Sequence, residues 1–131
     1  MTTKVITFGT FDLFHIGHLR ILQRAKALGD ELIVGVCTDE YSFERKNKYP
    51  INNQNQRYEI LDALKCVNSV FFEEFDNKKF YIQKYKADIM AMGSDWENHF
   101  DYLQTYCKVQ YLQRTSSIST TLIIEKIINE M

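Results

Sequence analysis

Residues 9–18 of the chain read GTFDLFHIGH, and this stretch decides the fold that the sequence predicts. A short β-branched run, residues 4–8 (KVITF), precedes it, and an amphipathic segment, residues 19–28, follows it. The stretch is therefore expected to form the loop from a first strand into a first helix. Such loops lie at the carboxyl edge of parallel sheets, where α/β proteins bind phosphates. Gly9 would let the backbone approach a ligand or adopt a positive φ.

Two histidines in this stretch, His15 and His18, share one face of the helix's first turn because they are three residues apart. A lone histidine beside an apolar run is more often a packed or capping residue, but a pair at a strand's carboxyl end faces solvent or ligand. Zinc binding would need two further ligands, and neither His99 nor a pair of cysteines lies nearby in the sequence. We therefore predict a phosphate ligand, bound by imidazole or imidazolium donors, and no metal held by protein side chains.

Length and composition favour a single domain, residues 1–131, in which 45% of the residues are hydrophobic and can form a core. The formal net charge of −1 supplies no basic surface for nucleic acid or an anionic membrane, so positive groups must cluster locally around a phosphate. Cys37, Cys66 and Cys107 are widely spaced within apolar runs, which indicates buried free thiols in a reducing compartment. No signal-peptide pattern follows Met1, and no apolar run reaches roughly eighteen residues, so the expected location is the cytoplasm.

Apolar runs typical of buried strands alternate along the chain with helical patterns. The predicted strands are residues 4–8, 31–37, 67–72, 88–92 and 109–112, and the main predicted helices are residues 19–28, 57–64, 77–86 and 122–128. Strand, helix and strand within about thirty residues form a right-handed βαβ unit. The predicted fold is therefore α/β, a single-domain Rossmann-like doubly wound sheet of about five parallel strands with helices on both faces.

A polar stretch interrupts this pattern at residues 42–56. It contains Arg45, Lys46, Lys48 and the chain's proline, Pro50, followed by a run of Asn and Gln. A polar loop of this length is usually either disordered or a functional lid. Its three positive charges favour the lid.

Two later stretches resemble the opening design. Gly93, Asp95 and Trp96 follow the fourth strand, so that a carboxylate and a large ring either face a ligand or, for the ring, pack under a loop. Residues 113–121 (QRTSSISTT) place Arg114 and several hydroxyls at the start of the closing helix. Ser119 alone would be an N-cap, but an arginine crowded with hydroxyls exceeds what a cap requires. Two helix N-termini thus flank one crevice, which a triphosphate could span.

Together, GTFDLFHIGH and RTSSISTT resemble the cytidylyltransferase family of small α/β nucleotidyltransferases, whose marks are an H-x-G-H loop and an R-T-x-x-I-S-T segment. HIGH also occurs in class I aminoacyl-tRNA synthetases, but 131 residues leave no room for a tRNA-binding body, and the lysine-rich second signature of those enzymes is missing. The resemblance covers essentially the whole chain. It implies a homodimer that transfers a cytidylyl group from CTP to a small phosphorylated alcohol, glycerol 3-phosphate, for a teichoic-acid-like or capsular polymer. It also implies Mg²⁺ held mainly through the CTP phosphates.

The resemblance assigns roles to residues at matching positions. The catalytic residues would be His15, His18, Lys46 and Arg114. The nucleotide-binding residues would be Gly9, Thr10, Phe11, His15, His18, Asp95, Trp96, Arg114, Thr115, Ser119 and Thr120. The acceptor would contact Lys46, Lys48 and Arg57, of which the two lysines match the family's K-x-K.

The chain departs from the family pattern at several positions near the expected acceptor side. Lys65, Asn68, Ser69, Phe75 and Ser94 stand where the family usually has an arginine, acidic residues and a tryptophan. None of these departures removes a phosphate-binding group. They leave open cytidylyl or adenylyl transfer to phosphoethanolamine, phosphocholine or a sugar phosphate, and a nucleotide-binding regulator without catalysis is a further alternative.

Overall fold

The computed structural model describes residues 2–115 and 118–131, and within them it contains a five-stranded parallel sheet. The strands are β1 (Lys4–Gly9), β2 (Glu31–Cys37), β3 (Ser69–Glu73), β4 (Ile89–Gly93) and β5 (Lys108–Leu112). Their order is β3-β2-β1-β4-β5, and every neighbouring pair is parallel. From β1 the chain adds β2 and β3 on one side of the sheet and then β4 and β5 on the other. This reversal opens a crevice outside the carboxyl ends of β1 and β4.

Helices cover both faces of this sheet. They are α1 (Ile16–Lys26), α2 (Asp39–Lys46), α3 (Gln54–Asp62), α4 (Lys78–Lys84) and α5 (Thr120–Glu130), with 3-10 turns at Ser94–Trp96 and Asp101–Thr105. On one face α1 and α3 pack through Leu22 and Leu61. On the other, α4 and the second 3-10 turn pack through Ile82 and Leu103. The predicted Rossmann-like sheet of five parallel strands between helices is confirmed.

Gly35, in the middle of β2, is required by close packing. A Cβ atom there would lie 2.6 Å from Cζ of Phe71 and 2.8 Å from Cδ1 of Phe8. These two rings meet edge to face, with centroids 5.9 Å apart. The Phe71 ring also stacks on Tyr85 with centroids 4.4 Å apart, so it has little room to move.

We expect Gly35→Ala to lower the free energy of unfolding by about 1–3 kcal/mol, because overpacking forces aromatic side chains from their preferred rotamers. Urea denaturation of the wild-type and variant chains measures this loss. Gly93→Ala is the matched control, since a Cβ at that strand end would meet its nearest neighbour at an ordinary 3.4 Å. Equal destabilisation by the two changes would contradict the packing argument.

The segment predicted as a polar loop, residues 42–56, is partly helical. α2 continues to Lys46, and α3 starts within the segment. Its polar composition arises from helix ends: Thr38 and Asn53 are N-caps, and Asn47 ends α2 in the left-handed region at φ 56°. The prediction of one continuous loop was therefore wrong, although residues 47–53 do connect two helices.

Other boundaries differ by two or three residues. β3 was predicted at residues 67–72 but starts at Ser69, because the Val67 amide donates to the Leu64 carbonyl in a turn and the Asn68 side chain accepts from the Leu32 amide at 2.9 Å. α1 begins before the predicted Leu19, and α5 extends beyond residues 122–128 at both ends.

The three cysteines are free, with Cys37 and Cys107 buried, as predicted, and Cys66 half-buried. Within the described residues, no helix combines the length and hydrophobicity needed to cross a bilayer. Ser116 and Ser117, two of the hydroxyls in the predicted phosphate-binding segment, lie outside the described residues.

Candidate active site

A cleft of about 730 Å³ opens at the carboxyl ends of the strands. It is bordered by the β1 loop, α2, the start of α4, the β4 end and the start of α5, and this volume suits a nucleotide-sized ligand. All predicted nucleotide-binding residues line it: Gly9, Thr10, Phe11, His15, His18, Asp95, Trp96, Arg114, Thr115, Ser119 and Thr120. Lys46 and Lys48 line it too, and Arg57 does not. The two motifs at opposite ends of the sequence therefore meet in one cleft.

The β1 loop obtains its shape from residues other than glycine. Phe11 and Leu13 adopt positive φ angles of 55° and 48°, whereas Gly9 does not. Gly9 is instead needed because a Cβ there would lie 2.8 Å from the ring of Phe11, which is buried over it. The positive φ predicted for Gly9 is therefore wrong, and the close approach that the structure shows is that of the Phe11 ring; the approach of a ligand stays a prediction.

His15 and His18 cap α1 reciprocally. His15 Nδ1 accepts from the Gly17 amide at 3.0 Å, and His18 Nδ1 accepts from the His15 amide at 3.2 Å. The two rings stack with centroids 3.8 Å apart. Because each Nδ1 accepts a hydrogen bond, the proton of each neutral ring is on Nε2. Capping and ligand binding are thus compatible roles: one nitrogen fixes the ring, and the other is a donor.

Both histidines are neutral near pH 7. Burial lowers the pKa of His18 to about 4, with the charges of His15 and Arg114 acting in the same direction and that of Asp12 opposing them. Burial and Arg114 also lower the pKa of His15. Of the two donor forms that the sequence left open, the structure favours imidazole over imidazolium. Positive charge in the cleft comes from its lysine and arginine side chains.

The low pKa of His18 predicts a pH dependence of stability. Between its ordinary value of 6.5 and about 4, the folded chain binds fewer protons at this site than the unfolded chain. The free energy of unfolding therefore keeps its full value, as far as this site is concerned, above pH 6.5. It decreases as the pH falls from 6.5 toward 4. Urea titrations through this window should give a shallower decline for His18→Gln, which removes this imidazole and leaves that of His15. Parallel curves for the wild type and the variant would contradict the burial argument.

The lysines stand at the end of α2. Lys46 Nζ donates to Thr10 Oγ1 at 3.2 Å, which places the ammonium on the β1 loop. Burial of this ammonium and the neighbouring charge of Arg45 lower its pKa. An anionic ligand would offset both effects, so the site is suited to a phosphate.

Asp12 holds three parts of the cleft together. Its carboxylate accepts from the amides of Ile51 and Asn52 at 2.7 and 2.9 Å, and its carbonyl accepts from Thr120 Oγ1 at 2.9 Å. It also accepts from the Leu13 amide within its own turn at 3.1 Å. The β1 loop, the segment after the lysines and the start of α5 are therefore joined at one residue.

Arg57 is buried beneath the cleft rather than exposed to it. Only 1% of its surface is accessible. Its guanidinium donates to the carbonyls of Asn52, Thr10 and Cys37 at 2.8–2.9 Å and to Asp39 Oδ1 at 2.7 Å. The sequence predicted an acceptor-binding role, and this geometry corrects it: with its donors directed at protein oxygens, Arg57 positions the ends of β1 and β2.

The start of α5 supplies the second anion site. Arg114 pairs with Asp95 at 2.5 Å, with both side chains about half exposed, so a triphosphate can compete for its guanidinium. Ser119 is the N-cap of α5, accepting from the Leu122 amide at 3.1 Å, as the simpler interpretation predicted. Among the described residues, the buried Thr115 hydroxyl is without a hydrogen-bond partner. Because Thr115 also lines the cleft, this hydroxyl is available to a ligand bound there.

Trp96 combines the two roles that the sequence left open. It lines the cleft while packing against Phe100, with ring centroids 5.6 Å apart. The guanidinium of Arg45 lies 5.8 Å from its ring centroid and also contacts Cys37 Sγ at 3.3 Å. Arg45 and Lys78 both line the cleft. From the sequence, Arg45 is one of the charges of the predicted lid but has no predicted ligand, and Lys78 has no predicted role. The sequence feature that could have identified them is their position, since each lies on a helix that follows a strand.

Sheet order, crevice and paired anion sites together define a Rossmann-like nucleotide-binding protein. The family model described as cytidylyltransferase-like matches residues 6–126. This chain therefore belongs to the cytidylyltransferase-like family, a class of nucleotidyltransferase enzymes.

Similar proteins include several that match more than nine-tenths of this chain. The glycerol-3-phosphate cytidylyltransferase of Bacillus spizizenii is 47% identical, and the match covers 92% of this chain and 93% of that protein. The glycerol-3-phosphate cytidylyltransferase of Staphylococcus aureus is 41% identical, and the match covers 95% of this chain and 94% of that protein. The FAD synthase of Thermococcus sibiricus is 37% identical, and the match covers 95% of this chain and 92% of that protein. Among solved structures, a lipopolysaccharide core biosynthesis protein from Thermoplasma volcanium superimposes with a TM-score of 0.76 at 25% identity, covering 88% of this chain and all of that one.

Proposed function

We propose that this chain transfers a cytidylyl group from CTP to glycerol 3-phosphate, giving CDP-glycerol and pyrophosphate. The observation that carries the proposal is the meeting of His15, His18, Lys46 and Arg114 around one cleft, contributed by the H-x-G-H loop, the K-x-K segment and the R-T-x-x-I-S-T segment. The choice of CTP and glycerol 3-phosphate is supported by likeness to relatives that bear this name at 41–47% identity.

The reaction needs one phosphorus–oxygen bond to form and one to break. A phosphate oxygen of the acceptor attacks the α-phosphorus of CTP, and the bond from that phosphorus to the bridging oxygen of pyrophosphate breaks. The neutral Nε2–H groups of His15 and His18 donate to oxygens on which charge accumulates. Arg114 and the start of α5 hold the departing pyrophosphate, while Lys46 reduces the repulsion between the two phosphates. Fixed donors of this kind act by electrostatic stabilisation and positioning.

The residues of the cleft would leave a bound Mg²⁺ to be held mainly by the triphosphate. Within the described residues, the carboxylates that line the cleft are those of Asp12 and Asp95, which already bind backbone amides and Arg114. The described residues also lack a cluster of three or more His, Cys, Asp or Glu side chains suited to a metal. Such a donor set fits a metal coordinated mainly by phosphate oxygens and water. When bound, Mg²⁺ would neutralise phosphate charge.

The enzyme is further proposed to act as a cytoplasmic homodimer. Free thiols at Cys37 and Cys107 support a reducing compartment. Dimerisation is supported by the family resemblance and by exposed apolar side chains on α5, where Leu122, Ile127 and Ile128 are 46–62% accessible. Light scattering of the purified chain would determine its mass in solution.

The deciding experiment measures pyrophosphate release with magnesium present, crossing CTP, ATP, GTP and UTP against glycerol 3-phosphate, phosphoethanolamine, phosphocholine and sugar phosphates. Release with CTP and glycerol 3-phosphate alone is the expected result. Release from CTP with another acceptor would keep the mechanism and change the product. No release with any pair, from protein that still binds CTP, would favour a regulator.

A second candidate is adenylyl transfer, because the chain is also similar to proteins named FAD synthase, whose product contains adenine. The ATP arm of the same experiment, extended to FMN as acceptor, distinguishes this candidate. Preference for ATP over CTP would make it the better assignment.

A further inference from the structure

A basic stretch of sequence forms the solvent side of α4. Residues 77–87 read NKKFYIQKYKA and contain four lysines and no acidic residue, in a chain whose net charge is −1. Lys78 is buried, whereas Lys79, Lys84 and Lys86 are exposed. Positive charge is therefore concentrated on this side of the protein as well as in the cleft.

Aromatic rings stand among these lysines. Phe80 on α4 is 43% accessible, and Tyr106, which follows the second 3-10 turn, is 41% accessible. The Lys79 ammonium lies 4.6 Å from the centroid of the Tyr106 ring, and the Lys84 ammonium lies 5.8 Å from that of Phe80. The four side chains form an exposed cluster that joins α4 to the 3-10 turn, and we call it the α4 face: Lys79, Phe80, Lys84 and Tyr106.

The charges of the α4 face are not neutralised by the carboxylates on either side of the stretch, Asp76 and Asp88. Asp76 precedes α4, and Asp88 accepts from the Lys4 amide at 2.9 Å beside β4. Within the part of the chain that the structure describes, the salt bridges involve neither Lys79 nor Lys84. Both ammoniums therefore remain available to an anionic partner.

The shape of the α4 face distinguishes among anionic partners. Its side chains line neither the cleft nor the shallow groove on α3, and a bound peptide segment is held in a groove of this kind. The two ammoniums lie over ring faces on which a nucleobase would stack. A bilayer needs no groove, because its headgroups accept from lysine ammoniums and aromatic rings enter the layer between them. An anionic phospholipid surface is therefore the partner that fits the α4 face best.

We propose that the α4 face docks the protein reversibly on a membrane that contains anionic phospholipid. Lys79 and Lys84 bind lipid phosphates, and the Phe80 ring enters the interfacial layer. So few lysines and rings give weak, salt-sensitive binding, and the protein exchanges between membrane and solution. The net charge of the whole chain predicts no basic surface for a membrane, whereas the lysines of this one stretch form such a surface locally.

Docking in this orientation has a consequence for the active site. Lys78, the first residue of α4, lines the cleft, and its neighbour Lys79 belongs to the α4 face. The docked protein therefore holds its cleft close to the bilayer, where a product is released beside the membrane. This inference goes beyond the proposed function and does not depend on it.

Co-sedimentation of the full chain with lipid vesicles tests the inference, using phosphatidylcholine alone or with roughly one-quarter phosphatidylglycerol. We expect binding to the anionic vesicles at low salt and its loss at high salt. Lys79→Gln/Lys84→Gln should lower the apparent affinity about tenfold or more. Arg20→Gln/Lys65→Gln is the matched control, since it removes two exposed positive charges near α1 and α3, on the opposite face of the sheet. This control should bind as the wild type does.

Tryptophan fluorescence provides a second measurement. The emission of Phe80→Trp should shift to shorter wavelength with anionic vesicles and should be quenched by brominated lipid. Phe43→Trp, at a site on α2 that is 38% accessible, should show neither effect. The native Trp96 contributes equally to both variants. Equal responses of the two variants would show that Phe80 does not enter the bilayer and would overturn the inference.

Several results of the vesicle experiment would also overturn it. The wild type could bind both kinds of vesicle equally, bind neither, or keep its affinity in Lys79→Gln/Lys84→Gln. Binding to polyglutamate without binding to vesicles would assign the α4 face to an acidic protein, and a smaller mass of the lysine variant in light scattering would assign it to a second copy. Pyrophosphate release without vesicles should be unchanged in this variant, because neither lysine lines the cleft, so the proposed function is tested separately.

Discussion

Replacing His18 with alanine is expected to reduce kcat by about two to four orders of magnitude, because the variant loses a fixed Nε2–H donor at the reacting phosphates. The effect on CTP affinity should be much smaller, since Arg114 and the start of α5 remain. Pyrophosphate release measures turnover, and calorimetric titration with CTP measures binding. This difference between turnover and binding is what distinguishes an enzyme from a nucleotide sensor.

Two further variants separate chemistry from helix capping. His18→Asn retains an acceptor for the His15 amide and should restore stability without restoring kcat. His99→Ala removes an exposed histidine that does not line the cleft, and it should retain wild-type turnover. Full turnover by His18→Ala would show that the H-x-G-H loop is not catalytic here.

Arg57→Met is expected to lower the free energy of unfolding by about 3–5 kcal/mol, enough to unfold a marginally stable domain. The change leaves Asp39 and three carbonyl oxygens without their donor. Chemical denaturation provides the measurement. Arg57→Lys should fall between the wild type and Arg57→Met, because a lysine cannot reproduce the planar arrangement of the guanidinium donors.

Arg20→Met is the matched control for this prediction. Arg20 is exposed on α1, so its replacement should change stability by no more than about 0.5 kcal/mol. If Arg57→Met were as stable as Arg20→Met, Arg57 would not be the residue that holds the ends of β1 and β2. An increase in the KM for the acceptor alone, with unchanged stability, would instead support the contact role predicted from the sequence.

The fold was predictable because its signals are local. Each strand is a short apolar run, and the helices of residues 16–26 and 120–130 follow their strands after a recognisable capping segment. α2 was missed because it is short and carries an unpatterned polar face, so that only its caps, Thr38 and Asn47, mark its ends. Helices of this length depend on tertiary contacts rather than on their own sequence pattern.

The site was predictable where backbone geometry alone determines it. The β1 loop and the start of α5 lie at helix N-termini after strands, and such positions are suited to binding anions. Arg57 and Lys78 could not be assigned in this way. The position of each side chain is determined by distant partners: carbonyls from the ends of β1 and β2 for Arg57, and a glutamate on the edge strand β3 for Lys78. A charged residue has the same appearance in a sequence whether its partner is water or a buried carboxylate.

The strand order has a consequence for the nascent chain. During synthesis β1 is followed first by its neighbour β2 and then by β3, which pairs with β2, whereas β4, the neighbour of β1 on the other side, is made about eighty residues after β1. Until then the second edge of β1, with buried residues such as Val5 and Ile6, has no strand to pair with. Exposed apolar edges of this kind recruit other chains. Slow translation before β4 should therefore favour aggregation on the ribosome, and binding of a chaperone to this edge would protect the chain until the sheet closes.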